Sequence, residues 1–425
     1  MKKFLSCLFL ASVALCFCGC LDEHPKDQID QEAIYNNADN IYKNAVASLY
    51  NYIGSNQESE GLQGTCRGIY DYNTLTTDEA MIPIRGGDWY DGGLWENMYQ
   101  HQWNANDIYF YNVWKYLFKV IVLSNQSLSV IDSHRNLLSD QQASAFSAEV
   151  RAIRALFYYY AMDMFGRIPI VISYNVNLKQ VVQNERSEVF RFIFNELQAV
   201  APLLADEHSN IRGDYYGRVT RSVANFLLAK LALNAEVYTV DNWTSGSRQN
   251  GKNIFFHVNG EKKNAWETCI WYCEQLRQEG YELENDYASN FAVHNESSKE
   301  NIFTIPLDKN LYPNEYHYLF RSRHYQHGGA YGGASENGTC ATISTVKAYG
   351  YATDHVDNRF YTNFYADTIF VDGKKVYLDN GEPLVYRPLE LKLNLSASPY
   401  KQTAGARVGK YEVDRTAYSD GKQVD

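Results

Sequence analysis

Apolar residues recur every three or four positions through much of the first 280 residues, the period of a helix that buries one face. Residues 36–53 carry Ile41, Ala45, Leu49 and either Tyr52 or Ile53 at that spacing. The stretch 108–131 places Trp114, Leu117, Phe118, Ile121 and Leu128 on one side. Residues 143–165 predict a long aromatic-rich helix, stopped at Gly166 and followed by Pro169. Further helices are predicted over 187–204, starting at Ser187 and Glu188, over 221–238 and over 264–280. The stretch 54–106 is broken by Gly61, Gly64, Gly68, Gly86, Gly87, Gly92 and Gly93 and reads as loops.

The helices fall into pairs. Arg151 to Tyr160 and Ser222 to Lys230 share a face on which small residues alternate with bulky ones, and each is followed by a second helix of similar length. With 36–53 and 108–131 as the first pair, three helical hairpins result, and stacked hairpins bury a continuous face that none could bury alone. The predicted fold class is mainly α, a tetratricopeptide-like helical-repeat scaffold with long loop-rich insertions and a few short β-hairpins. The insertions fall at 167–186 and 240–263. After Tyr281 the pattern changes: 301–307 reads as a strand, and Gly, Tyr, His and Asn dominate 312–365. Short strands are predicted at 368–371 and 375–378 around an Asp372-Gly373 turn. Residues 415–425 are hydrophilic and close no helix, so the chain is expected to stop before its fold does.

The first residues follow another logic. Lys2 and Lys3 precede an apolar run from Phe4 to Phe17, the layout of a secretory leader and too short to span a membrane. Gly19 directly before Cys20 resembles a bacterial lipobox, in which the cysteine is acylated and becomes the new N-terminus. Each buried lipid methylene contributes roughly 0.8 kcal/mol, so several acyl chains anchor a protein firmly. The expected organisation is a leader at 1–19, a polar tether at 20–35 and a domain at 36–425. Its scaffold lies mainly at 36–53 and 108–280, and its ligand-binding loops at 54–107 and 281–425.

Composition narrows the classes. The chain has 425 residues, 45% hydrophobic and 21% charged, which fits a globular body and excludes a polytopic membrane protein. Its net charge is -11, and no Lys/Arg-rich run marks a nucleic-acid footprint. Outside the leader, Cys66, Cys269, Cys273 and Cys340 form neither a disulfide framework nor a zinc ligand set, and read as small buried apolar residues. There are 35 Tyr, 20 Phe and 7 Trp, so aromatic surface is plentiful for both core and contact.

The segment 78–103 concentrates that surface. Sugars present apolar C–H faces and hydroxyl rims, so a sugar site wants flat rings beside bidentate polar groups. Trp89, Tyr90 and Trp95 supply platforms, and Asp78, Arg85 and Asp88 supply hydroxyl partners; alternatively Trp95, Tyr99 and Trp103 pack the loop onto the helices. A second candidate runs from Tyr312 to Tyr331 and includes Tyr316, Tyr318, Arg321, His324, Tyr325 and Tyr331. His324-x-x-His327 has no third ligand at a diagnostic spacing, so no metal is expected. Gly328 to Gly333 lacks the features of a phosphate loop. Asp78, Glu79, Asp88, Asp91 and Glu96 are possible glycosidase acids, yet no hydrolase motif surrounds them and no enzyme is expected.

Several stretches together resemble the SusD/RagB family. They are the lipobox with Cys20-Leu-Asp-Glu-His-Pro, then Thr76-Thr-Asp-Glu-Ala, Arg151 through Pro169, and Gly217-Arg-Val-Thr-Arg-Ser-Val-Ala, followed by Asp357-Asn-Arg359 and Gly409-Lys-Tyr. The resemblance covers essentially the whole chain and lies in the order of the motifs. It implies a surface-exposed outer-membrane lipoprotein that captures oligosaccharides without cutting them and acts with a SusC-like TonB-dependent transporter, using neither cofactor nor nucleic acid. It also implies four tetratricopeptide-like units, ligand contacts at Asp78, Arg85 and Trp95 by position, and a later region closing the opposite wall of the ligand site. RagB-like relatives take up peptides, which is the alternative ligand class. The family's usual final helical hairpin is missing from the sequence.

Overall fold

The computed structural model describes residues 34–55, 57–62, 66–306 and 321–411, with two further backbone segments at 417–419 and 422–424. Cys20, Tyr316 and Tyr318 lie outside the described residues. The scaffold is helical, as the periodicity predicts. An irregular helix α1 spans 38–52, turning from α (Ala38–Ile41) through π (Tyr42–Val46) to 3-10 geometry (Ala47–Tyr52). Two short helices follow in the stretch read as loops, α2 (Ile69–Leu75) and α3 (Leu94–Tyr99). The long helices are α4 (Ile108–Ser133), α5 (Asp140–Phe165), α6 (Arg186–Val200), α7 (Arg221–Leu233) and α8 (Ala265–Gln278).

Local chemistry sets their ends. Ser139 caps α5 with a capping box to Gln142, and Gly166 stops it in a left-handed conformation at φ 68°. Asn264 and Glu267 form the same box on α8. On α6 the cap is Glu185, paired with Glu188; Ser187 is not the start but lies in the first turn, where its N–H and hydroxyl donate to Asp241. Asn234 interrupts the helix predicted to run to 238, and a single turn, Ala235–Tyr238, follows.

Consecutive helices pack in order: α4 on α5, α5 on α6, α6 on α7 and α7 on α8. One apolar core runs through them, with Ala152, Ala155 and Ala161 of α5 letting Phe157, Tyr158 and Phe190 approach closely. Two buried ionic clusters cross-link the stack. Arg151 and Arg154 of α5 share Glu196 of α6 at 2.7 and 2.9 Å. Glu149 of α5 accepts from Arg218 and from Tyr42 and Tyr50 of α1. The 240–263 insertion is a hairpin, β2 (Phe255–Val258) with β3 (Glu261–Asn264), turning at Asn259-Gly260.

The rear of the chain departs from prediction. Residues 301–306 form no strand; Ile302, Phe303 and Ile305 lie against the helical core instead. The predicted strands near 370 shorten to pairs, Phe370–Val371 with Lys374–Lys375, around the expected Asp372-Gly373 turn. Four short strands then join front and rear: β1 (Ala80–Met81), β4 (Cys340–Ala341), β5 (Phe364–Tyr365) and β6 (Ala406–Val408), in the order β1-β4-β6-β5. Of the four cysteines, Cys66 and Cys340 are buried as expected, Cys269 is half-buried and Cys273 is exposed. No helix among the described residues is long and apolar enough to cross a membrane.

Candidate functional site

The front segment enters the small sheet through Ala80 and Met81, which pair with Ala341 and Cys340, and a parallel bridge joins Ile84 to Asn394. Beyond it the chain turns sharply. Trp89 and Asp91 adopt positive φ of 63° and 39°, a conformation bulky L-residues avoid, and Gly92 and Gly93 continue it at 66° and 88°. This strained turn throws Tyr90 outward, 55% exposed, and returns the chain to α3.

Trp95 on α3 is fully buried. Its indole N–H donates to Asp91 at 2.6 Å, and the guanidinium groups of Arg321 and Arg67 lie 5.2 and 5.5 Å from its ring centroid. Arg321 in turn forms a buried ion pair with Asp71 of α2, one of its two contacts measuring 3.1 Å. Trp95 is therefore a packing residue clamped between two cations, and the expectation that it is a sugar platform is corrected. Arg85 is corrected in the same way. It is 1% exposed and donates to the Lys401 and Ala404 carbonyls and to the Cys340 thiol, so burial keeps it from a ligand at the surface. Burial, reinforced by the neighbouring Arg407 charge, lowers its pKa to about 10. Asp78 is exposed, but its carbonyl takes the Thr342 hydroxyl at the other end of the 80–85 stretch, apart from the remaining candidates.

What remains meets at a junction of three loops. Trp89 is half-buried and donates to the Glu336 carbonyl at 2.9 Å. Gly338 lies beneath it, where an added Cβ would come within 2.7 Å of the indole. Tyr325, 45% exposed, reaches the exposed Asp88 carboxylate with its hydroxyl at 3.4 Å. From the third loop, Gln402 accepts from Asn337 at 2.6 Å, and the Lys401 ammonium comes near Gly86. Tyr400 beside it is partly exposed, with the Arg387 guanidinium over its ring. The rim thus comprises Asp88, Tyr90, Tyr325, Tyr400 and Lys401, with Trp89 as its support. Tyr400 and Lys401 carry no periodic signal and could not be found from sequence; a Pro-Tyr-Lys run in a polar loop was the only hint.

His324 and His327 sit under the rim. His324 caps the short helix Tyr325–Ala330 through Nδ1, and the Tyr386 hydroxyl lies 3.0 Å from His327 Nδ1. Burial first, then nearby arginines, lower their pKa values to about 4 and about 3, so both are neutral near pH 7. His324 is 5% exposed, which corrects it from contact to support. Among the described residues no group of three metal-ligating side chains occurs. The front and rear segments are stitched together by strand pairing. Two surface depressions lie elsewhere, along α1 and α4, and neither includes a rim residue.

Stacked helical hairpins carrying an irregular, aromatic-rimmed face place this molecule among helical-repeat proteins with a grafted loop surface. Comparison with known proteins narrows that class. A family model described as "Starch-binding associating with outer membrane", SusD-like, matches residues 26–233. The starch-binding protein SusD of Bacteroides thetaiotaomicron is 26% identical over 250 residues, covering 56% of this chain and 42% of that protein. A SusD-like protein from Bacteroides fragilis superposes with a TM-score of 0.64 at 16% identity, over 90% of this chain and 69% of that one. A laminarin-binding SusD-like protein superposes with a TM-score of 0.55 at 16% identity, over 77% and 66%. The chain is similar to the SusD-like family over residues 26–233, and it spans less than half the length of the curated relative.

Proposed function

We propose that this protein captures oligosaccharides at the outer membrane without cleaving them and passes them to a SusC-like TonB-dependent transporter. We further propose that acylated Cys20 tethers it at the cell surface. The observation that carries the binding reading is the rim itself: Tyr90 and Tyr325 are exposed, and the Tyr325 hydroxyl reaches the Asp88 carboxylate two residues before Tyr90. Rings of this kind cover the apolar face of a pyranose while the carboxylate accepts from its hydroxyls. The family description and the names of its starch- and laminarin-binding members support the ligand class. A non-enzymatic role is supported by how the nearby acids are used: Asp91 serves Trp95 and Arg67, and Asp88 serves Tyr325.

Isothermal titration against a panel of neutral polysaccharides and a peptide pool tests the reading. Binding to at least one glycan is expected, weakened by Tyr90→Ala and by Tyr325→Ala at unchanged melting temperature. Binding confined to peptides would favour the RagB-like alternative, and release of reducing ends by the wild type would overturn the non-enzymatic reading.

A further inference from the structure

Helix α8 packs on α7, and its two faces differ. Ala265, Thr268, Tyr272 and Leu276 recur every three or four positions and are buried. Glu267, Ile270, Cys273, Glu274 and Arg277 are exposed on the other side. Two of these five are unusual there. Ile270 is 62% exposed, and Cys273 is an exposed thiol in the middle of a regular helix. Cysteine is among the residues most often buried. Cys269, half-buried, stands one turn before Cys273 on the same face, because positions i and i+4 are neighbours on a helix surface. The two sulfurs sense each other: burial first, then the charge of Cys273, pushes the Cys269 thiol up to about 11.

A disulfide does not fit this pair. Side chains at i and i+4 leave the helix about 5–6 Å apart at Cβ, whereas a disulfide needs about 3.5–4.5 Å. Bridging would unwind α8, which Tyr272 and Leu276 hold on its buried side. Zinc does not fit either. A structural zinc ion takes four ligands, and among the described residues no group of three His, Cys, Asp or Glu side chains occurs. Two thiolates without a third donor suit a soft monovalent ion, which prefers sulfur and is saturated by two ligands. With each bond near the ~2.3 Å of a zinc–thiolate contact, an ion between two sulfurs holds them up to about 4.6 Å apart. Rotation about χ1 of two cysteines one turn apart covers that span without moving the backbone. Arg277, the one basic residue of α8, is engaged by Glu274 at 2.7 Å, and Ile270 adds apolar surface three positions before Cys273.

We propose that Cys269 and Cys273 form a two-thiolate site for Cu(I) on the outer face of α8. Binding forms two copper–sulfur bonds, and each thiol that enters as S–H gives its proton to water. Copper keeps its oxidation state, so neither oxidant nor reductant is consumed. The site belongs to the scaffold and is independent of the glycan reading.

The test uses the full chain, reduced and kept free of oxygen, titrated with Cu(I) against a chromophoric chelator. Cys269→Ser and Cys273→Ser are titrated in the same way. The leader cysteines and the buried Cys66 and Cys340 are common to all three proteins, so the differences isolate the pair. Each serine variant is expected to bind one Cu(I) fewer per chain, with helical dichroism and the urea midpoint unchanged. Excess Zn(II) should not displace that copper from the wild type. Equal copper uptake by the wild type and both variants would overturn the site. So would a Cys269→Ser chain that keeps half an equivalent and doubles its mass in sedimentation, because Cys273 would then share copper between two chains.

Discussion

Asp71 and Arg321 lie 250 residues apart in sequence and meet fully buried. Removing one partner of such a pair leaves an uncompensated buried charge. Asp71→Asn or Arg321→Ala is therefore expected to cost about 3–5 kcal/mol in chemical denaturation. The apolar pair Asp71→Leu with Arg321→Met should recover part of it; a loss below about 1 kcal/mol for either single change would mean that water reaches the pair. The two histidines beneath the rim yield a pH prediction. Their folded pKa values, about 4 and about 3, lie below the ordinary histidine value near 6.5. As pH falls below about 6.5 the unfolded chain binds protons that the folded chain refuses, so the contribution of these groups is complete above that pH and declines toward pH 4. Urea midpoints measured from pH 7 to 4.5 should fall, and His327→Gln should flatten part of the slope. An unchanged slope would show that His327 is not held neutral.

Individual elements differ in how openly the sequence declares them. The helices α4 to α8 were legible because each buries a periodic face, and α4, α5 and α8 also carry side-chain caps. Helices α2 and α3 were hidden, since Gly68 and the Gly92-Gly93 pair read as breakers when they in fact launch these helices. The expected strand at 301–307 failed for a tertiary reason: the Pro306 ring presses on Gly217, and its neighbours bury on the helices without pairing. Which rings of 89–103 face water was not decidable locally. Trp95 and Tyr90 lie five positions apart, and what covers the first is Arg321, more than 200 positions away. At this scale Gly338 is the sensitive point. Gly338→Ala drives a methyl group into the Trp89 indole, and overpacking of this kind costs about 1–3 kcal/mol. Glycan affinity and the near-ultraviolet dichroism should drop together, with helical dichroism preserved; retained affinity would mean that Trp89 does not support the rim.

For the whole molecule, the helical stack is a rigid carrier and the chemistry is lodged in loops from three distant parts of the sequence. Acylation at Cys20 is the proposal that fixes where this carrier operates. Cys20→Ala is expected to move the protein from the membrane fraction to the soluble one, and persistence in the membrane pellet would reject the lipid anchor. The pairing of Ala80 with Ala341 bears on how the molecule is made. A chain made from its N-terminus exposes Met81, Trp89 and Trp95 long before their partners emerge. Stacked hairpins, whose contacts are local, can assemble early, whereas the small sheet and the rim have to wait for the last segment. Until then those side chains remain open to water and to other chains, so misassembly has its widest window before the last strand pairs.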